Sequence, residues 1–156
     1  MPARIPSRRR GLSLVELVVV VTIMAIVAAV GGTRYVESLA FHRTQRTAQR
    51  IAADLESARQ VARSRSLPVS ISFDAAANRY TITGIANPDH PSAVNRVALG
   101  DGPLQSQLTA AAFGGDAIIV FNEFGMPDSG GTLSVRSGAS TQTVTVIAGT
   151  GAVTTP

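Results

Sequence analysis

Glu16 is the only ionisable side chain between Arg10 and Arg34, and it stands in an otherwise apolar stretch. Inside a membrane segment a carboxylate costs roughly 2.5–3.5 kcal/mol on insertion scales, so an unpaired one is normally excluded unless it has a task. Five residues before it lies Gly11, preceded by Arg8, Arg9 and Arg10. Cleavage after that glycine creates a new amine on Leu12. A carboxylate and an amine at matched depth in adjacent copies neutralise each other. Docking between apolar helices is therefore the chemistry that these residues can do.

No second constellation of this kind follows. Of the two histidines, His42 falls on a helical stretch and His90 in a proline-flanked loop, and both read as solvated surface residues. No Gly-x-Ser-x-Gly elbow accompanies the many serines. Gly149-Thr150-Gly151 has no helix after it that would hold a phosphate. The chain has no cysteine, which excludes disulfides and thiolate metal sites. Glu123 and Asp128 flank a Gly-Met-Pro turn and Asp101 sits between glycines, a weak case for a calcium loop. The expectation is no catalytic residue, no cofactor and no metal.

Charge distribution narrows the partners. The formal balance is +4, but Arg4, Arg8, Arg9 and Arg10 all precede Gly11, and from Leu12 onward ten arginines face ten acids. Residues 34–66 carry seven arginines against Glu37, Asp54 and Glu56, whereas residues 67–156 carry three arginines against six acids. A mildly acidic C-terminal part with no arginine after Arg136 argues against nucleic acid, whose phosphates dominate affinity.

The elements that position Glu16 come next. Residues 12–33 are 22 in number, enough to span a bilayer core of ~30 Å at 1.5 Å per residue. A secretory signal peptide cut near Val27-Ala28-Ala29 competes for these residues, but Glu16 interrupts its apolar core and the run exceeds the usual length. A twin-arginine signal at Ser7-Arg8-Arg9 fits the following residues poorly. A plain single-pass anchor explains everything except Gly11 and Glu16. No proline interrupts residues 12–67, and Ile51, Leu55, Ala58 and Ala62 recur at helical spacing with Val61 beside them. The helix is therefore expected to run to about Ser66, where Pro68 ends it. Gly31-Gly32 is its weak point, at about 1 kcal/mol each relative to alanine.

Beyond Pro68 the period becomes two. Val69, Ile71 and Phe73 alternate with serines, Tyr80 and Ile82 with threonines, and residues 74–78 join them as a hairpin loop. A less regular stretch covers 84–116. Residues 117–121 read as an interior strand, 133–135 and 143–147 as strands about a turn at 137–140, and 152–154 as a short last strand. The fold class is α+β: a long N-terminal helix, half membrane-type and half amphipathic, packed on antiparallel β-sheets.

Gly11-Leu12-Ser13-Leu14-Val15-Glu16-Leu17 resembles the processing site of type IV prepilins and type II secretion pseudopilins. Leu12 departs from the commoner phenylalanine. Ala53-Asp54-Leu55-Glu56-Ser57-Ala58-Arg59 before Val69-Ser70-Ile71, then Phe121-Asn122-Glu123-Phe124-Gly125 and Gly149-Thr150-Gly151-Ala152-Val153, are similar to segments of the GspH/FimT group of minor pseudopilins. The resemblance implies a pilin-like fold and a division into a cleaved leader at 1–11, a transmembrane and assembly helix at 12–33, an amphipathic stem at 34–66 and a periplasmic β-rich head at 67–156. It implies cleavage after Gly11 by a prepilin peptidase, methylation at Leu12, and assembly guided by Glu16 with Leu14, Val15 and 17–21 as the packing surface. Its partners are other pseudopilins or pilins, the peptidase and the inner membrane. The implied function is a non-enzymatic subunit of a type II secretion pseudopilus. A type IV pilus minor pilin, or a membrane-anchored periplasmic binding domain or enzyme, are the alternatives.

Overall fold

The computed structural model describes residues 13–87, 90 and 92–155, with the side chains of 30–34 excepted. One helix, α1, runs Leu14–Arg65, and eight strands follow: β1 Val69–Asp74, β2 Arg79–Thr83, β3 Asn95–Ala98, β4 Gln107–Phe113, β5 Ile118–Phe121, β6 Gly131–Ser137, β7 Ser140–Val146 and β8 Val153–Thr154. Two compact units divide the chain, Met1–Val36 and Glu37–Pro156. The first holds the apolar beginning of α1, the second its remainder and all strands.

The end of α1 explains itself locally. Ser66 takes a left-handed φ of 51°, and the Leu67 N–H donates to the Ala62 carbonyl at 3.3 Å. This is the six-to-one bond of a Schellman cap, followed at once by Pro68.

Within the second unit the strands form two antiparallel sheets, ordered β3-β2-β1-β5 and β4-β6-β7-β8. Their inner residues meet the buried stripe Ala48, Ile51, Leu55, Ala58 and Ala62 in a single core cluster. Val69, Ile71, Phe73, Tyr80, Ile82, Ile119 and Phe121 come from the first sheet, and Leu108, Phe113, Leu133, Val135, Val144 and Val146 from the second. Each fully buried aliphatic or aromatic side chain contributes about 1.5–3 kcal/mol. The stripe also continues toward the N-terminus through Ala40, Thr44 and Thr47. The Thr44 hydroxyl donates back to the Ala40 carbonyl and the Thr47 hydroxyl to the Arg43 carbonyl, while Ser106 Oγ lies 2.9 Å from Thr47 Oγ1, so each buried hydroxyl has a partner.

The hairpin β1–β2 has the expected loop, with Phe73 opposite Tyr80 and Asp74 opposite Arg79. The stretch 84–116, irregular in sequence, contains β3 and β4. β3 is a short edge strand whose residues alternate only between half-buried and exposed, with Val97 its one large apolar side chain, and β4 has a bulge between Leu108 and Ala110 in an alanine-rich run. Neither carries the pattern of large apolar residues that marks a strand in sequence.

Asn78 ties that crossing stretch to the hairpin. It adopts a left-handed φ of 49°, which asparagine tolerates better than most residues. Its Nδ2 donates to the Ser106 carbonyl at 2.9 Å, its Oδ1 accepts the Leu108 N–H at 2.8 Å, and its carbonyl accepts the Leu99 N–H at 3.0 Å. Three points on the chain between the two sheets thus hang on one side chain and its backbone.

Because the core cluster lies wholly within Glu37–Pro156, this unit expressed alone should melt cooperatively as a monomer. In that background Asn78→Ala should cost about 2–4 kcal/mol in denaturant unfolding, since it leaves the Leu108 N–H and Ser106 carbonyl without their partners. Asn78→Gly should recover about 1 kcal/mol of that loss by relieving the left-handed strain. Equal stability of the three proteins would show that Asn78 is not the tie.

Candidate functional site

The N-terminal candidate site begins at Ser13, whose carbonyl accepts the Leu17 N–H at 3.1 Å and so opens the helix. Glu16 lies in the first turn, where a carboxylate complements the helix dipole. Ser13 and Glu16 also have the Ser-x-x-Glu spacing of a capping box. Around it the apolar side chains are open: Leu14 is 77% exposed, and Val15, Leu17, the valines 18–21, Ile23, Met24, Ile26 and Val27 are all exposed. Such a contiguous apolar surface is what soluble monomers avoid, and it marks a surface made to be covered. Thr22 bonds the Val18 carbonyl at 2.7 Å, which keeps its hydroxyl satisfied without water.

Gly11 and Leu12, the expected processing residues, lie outside the described residues. Among the described residues no helix is long and apolar enough to cross a membrane. The span expected over 12–33 reaches past them at Leu12 and at the side chains of 30–34, and the remainder carries Glu16 and Thr22 among its apolar residues.

In the second unit the residues with reactive chemistry serve packing. Asp54 on α1 accepts a short hydrogen bond from the Tyr80 hydroxyl and a second from Arg50 Nε at 3.1 Å. Burial, then the adjacent Asp54 charge, push the Tyr80 phenol well above its ordinary range, while Asp54 raises Arg50. The triad locks helix to sheet. Periodicity identified Tyr80 only as an inward strand residue, and nothing in sequence spacing connects it to Asp54.

Of the residues considered for calcium, Asp128 is engaged in the fold. Asp128 Oδ1 accepts the Val120 N–H at 3.1 Å while the Asp128 N–H donates to the Val120 carbonyl at 2.9 Å, which closes the free edge of β5. Among the described residues no group of three or more His, Cys, Asp or Glu is gathered that could hold a metal ion. His42 lies edge-on to Phe41, and the His90 N–H donates to Asn87.

Phe121 closes β5, and Asn122-Glu123-Phe124-Gly125 after it form a braced loop. Asn122 Oδ1 accepts the N–H groups of Phe124 and Met126 at 3.0 and 2.9 Å. Gly125 has φ 72°, and a Cβ there would stand 2.5 Å from the Arg63 stem. Glycine is required by both conformation and contact.

Comparison with known proteins now bears on this geometry. The family model for the type II transport protein GspH matches residues 47–151, and that for the prokaryotic N-terminal methylation motif matches 6–32. The chain therefore belongs to the GspH family and carries a methylation motif at its apolar end. Its fold is similar to that of the minor pseudopilin EpsH from the type 2 secretion system of Vibrio cholerae, at 17% identity and TM-score 0.55 over 73% of this chain and 96% of that one. It is also similar to the type IV minor pilin FimU of Pseudomonas aeruginosa, at 14% identity and TM-score 0.51 over 74% and 89%. No match is found among curated proteins. The N-terminal helix on two antiparallel sheets is thus the pilin-like fold, and the chain is a structural subunit of the pseudopilin and type IV pilin-like class.

Two outcomes check the packing roles. Tyr80→Phe should cost about 1.5–3 kcal/mol at neutral pH, the range for a hydrogen bond to a charged group. Because the folded phenol is raised, its contribution is complete below the unfolded value near 10 and is lost as pH rises beyond it. Unfolding free energy of the Glu37–Pro156 unit should therefore fall above about pH 10, and less steeply in Tyr80→Phe, as followed by urea titration at stepped pH.

Proposed function

We propose that this protein is a minor pseudopilin of a type II secretion pseudopilus, with no catalytic activity of its own. A prepilin peptidase removes residues 1–11 after Gly11, Leu12 becomes the methylated N-terminus, and 12–33 anchors the subunit in the inner membrane with the head periplasmic. Assembly then proceeds through the apolar helix into contact with other pseudopilins.

The observation that carries this reading is the pairing of an open apolar helix, bearing one carboxylate in its first turn, with a head of the GspH family. In an isolated membrane helix that carboxylate has a dielectric penalty. Beside the amine of a neighbouring processed subunit it gains a counter-charge, so docking at the right depth removes the penalty and sets the register. The fold's likeness to the minor pilin FimU supports a second reading, a minor pilin of a type IV pilus. Co-purification with secretion pseudopilins rather than pilus subunits, from cells expressing both sets, separates the two.

Co-expression with a prepilin peptidase should remove 11 residues, leaving Leu12 N-terminal by mass spectrometry. A bulky residue at Gly11 should block the cut, and cleavage after Ala29 instead would overturn the assignment. Glu16→Gln and Glu16→Ala should be inserted and cleaved normally, yet cross-link poorly to partner subunits. Wild-type recruitment of both variants would transfer the docking role to Leu14, Val15 and the valines 18–21.

A further inference from the structure

The first sheet has two edge strands. Its order places β5 at one edge, closed by Asp128 and by the bridge from Phe121 to Pro127, and β3 at the other. Among the described residues no strand pairs with the outer edge of β3. The edges of the second sheet offer less. The ends of β4 are engaged, Leu108 N–H by Asn78 and Phe113 by Asp116, and β8 has only two residues.

Beside β3 lies a cleft of about 300 Å³ lined by Arg50, Val97, Ala98, Asp101, Pro103 and Leu104. Its position follows from the register. Tyr80 pairs with Val97, so the two side chains share a face of the sheet. That face is the one on which the Tyr80 hydroxyl reaches Asp54 of the helix. Next outward from Val97 on this face the strand sequence stops and the cleft begins. Its wall is mostly apolar, and Arg50 stands at its rim. Asp54 holds the guanidinium through Nε at 3.1 Å and itself accepts from Tyr80, so the charge is positioned while, among the described residues, no hydrogen bond engages its two terminal nitrogens.

We propose that β3 and this cleft form a recognition site for an extended segment of another polypeptide, added as a further antiparallel or parallel strand. Main-chain bonds to the β3 edge supply affinity, and side chains on alternate positions supply selection. On the helix-facing side one apolar side chain enters against Val97, Pro103 and Leu104. Two residues along, on the same side, a carboxylate meets Arg50 in a charge-assisted bond. Asp101 on the lining disfavours a second acid. Arg96, paired with Thr81, lies on the opposite face and leaves the approach clear. This site goes beyond the assembly function proposed above and does not depend on helix docking.

The test uses the full chain in detergent micelles and the probe N-acetyl-Thr-Leu-Thr-Glu-Thr-amide, with Leu and Glu on one side of an extended strand. Saturable binding should shift the methyl resonances of Val97 and Leu104 and slow amide exchange in Asn95–Ala98. Replacing Glu by Gln in the probe should weaken binding about tenfold, the loss of a charge-assisted bond. Arg50→Gln should remove that difference while leaving the apolar contact. A probe with proline in place of the central threonine should not protect β3. Failure of the parent probe to protect β3 at millimolar concentration overturns the site, as does equal binding of the Glu and Gln probes or of the proline probe. Normal leader cleavage and recruitment alongside such a failure would leave the pseudopilin reading intact and reject this one alone.

Discussion

Two sheets share one face of one helix, and the head is built around that constraint. The buried stripe of α1 sets two larger residues, Ile51 and Leu55, between small ones, Ala48 on one side and Ala58 and Ala62 on the other. Small side chains let the backbone of the helix approach the sheets, and the two larger ones fill the space between them. With only seven aromatic residues in the chain, the remaining core rests on valine, isoleucine and leucine from both sheets. The stripe therefore cannot move relative to one sheet without opening a void against the other, a change that close-packed interiors resist.

Polar groups fix the same arrangement. Asp54 takes hydrogen from Tyr80 and Arg50, Asn78 binds the crossing stretch, and Thr47 meets Ser106 beneath it. Gly125 and Gly151 permit the two loops at the end of the helix to close on the aliphatic stems of Arg59 and Arg63. Arginines that raise the stem's charge thus spend part of their length as packing material, which their flexible hydrocarbon stems allow.

The apolar beginning of α1 follows the opposite rule. Its described apolar side chains are exposed, and its carboxylate Glu16 lies in the first turn. A subunit with a self-sufficient head and an unsatisfied helix is suited to an assembly in which the environment of the helix changes and the head does not.

The helix from Leu14 to Arg65, the hairpin of β1 and β2, and the later strands were all legible in sequence, because each is announced by local periodicity or by a proline, glycine or turn residue. The N-terminal methylation motif was legible for the same reason: a lone charge at Glu16 in an apolar run is a local anomaly that needs no fold to be seen. β3 and β4 were not, since an edge strand and a bulged alanine run lack the alternating large apolar residues that buried strands show. Nor were the Tyr80–Asp54 bond, the threonines of the stripe or the three-way tie at Asn78. The bonds of Tyr80, Asn78 and Thr47 to other elements join residues 21 to 59 positions apart, and polar side chains carry no periodic signal of burial. Local patterning determined which elements form and which end of the chain seeks partners; only the packing of helix on two sheets decided which polar residues would be buried, because burial of a hydroxyl or carboxylate is favourable only where the fold supplies its partner.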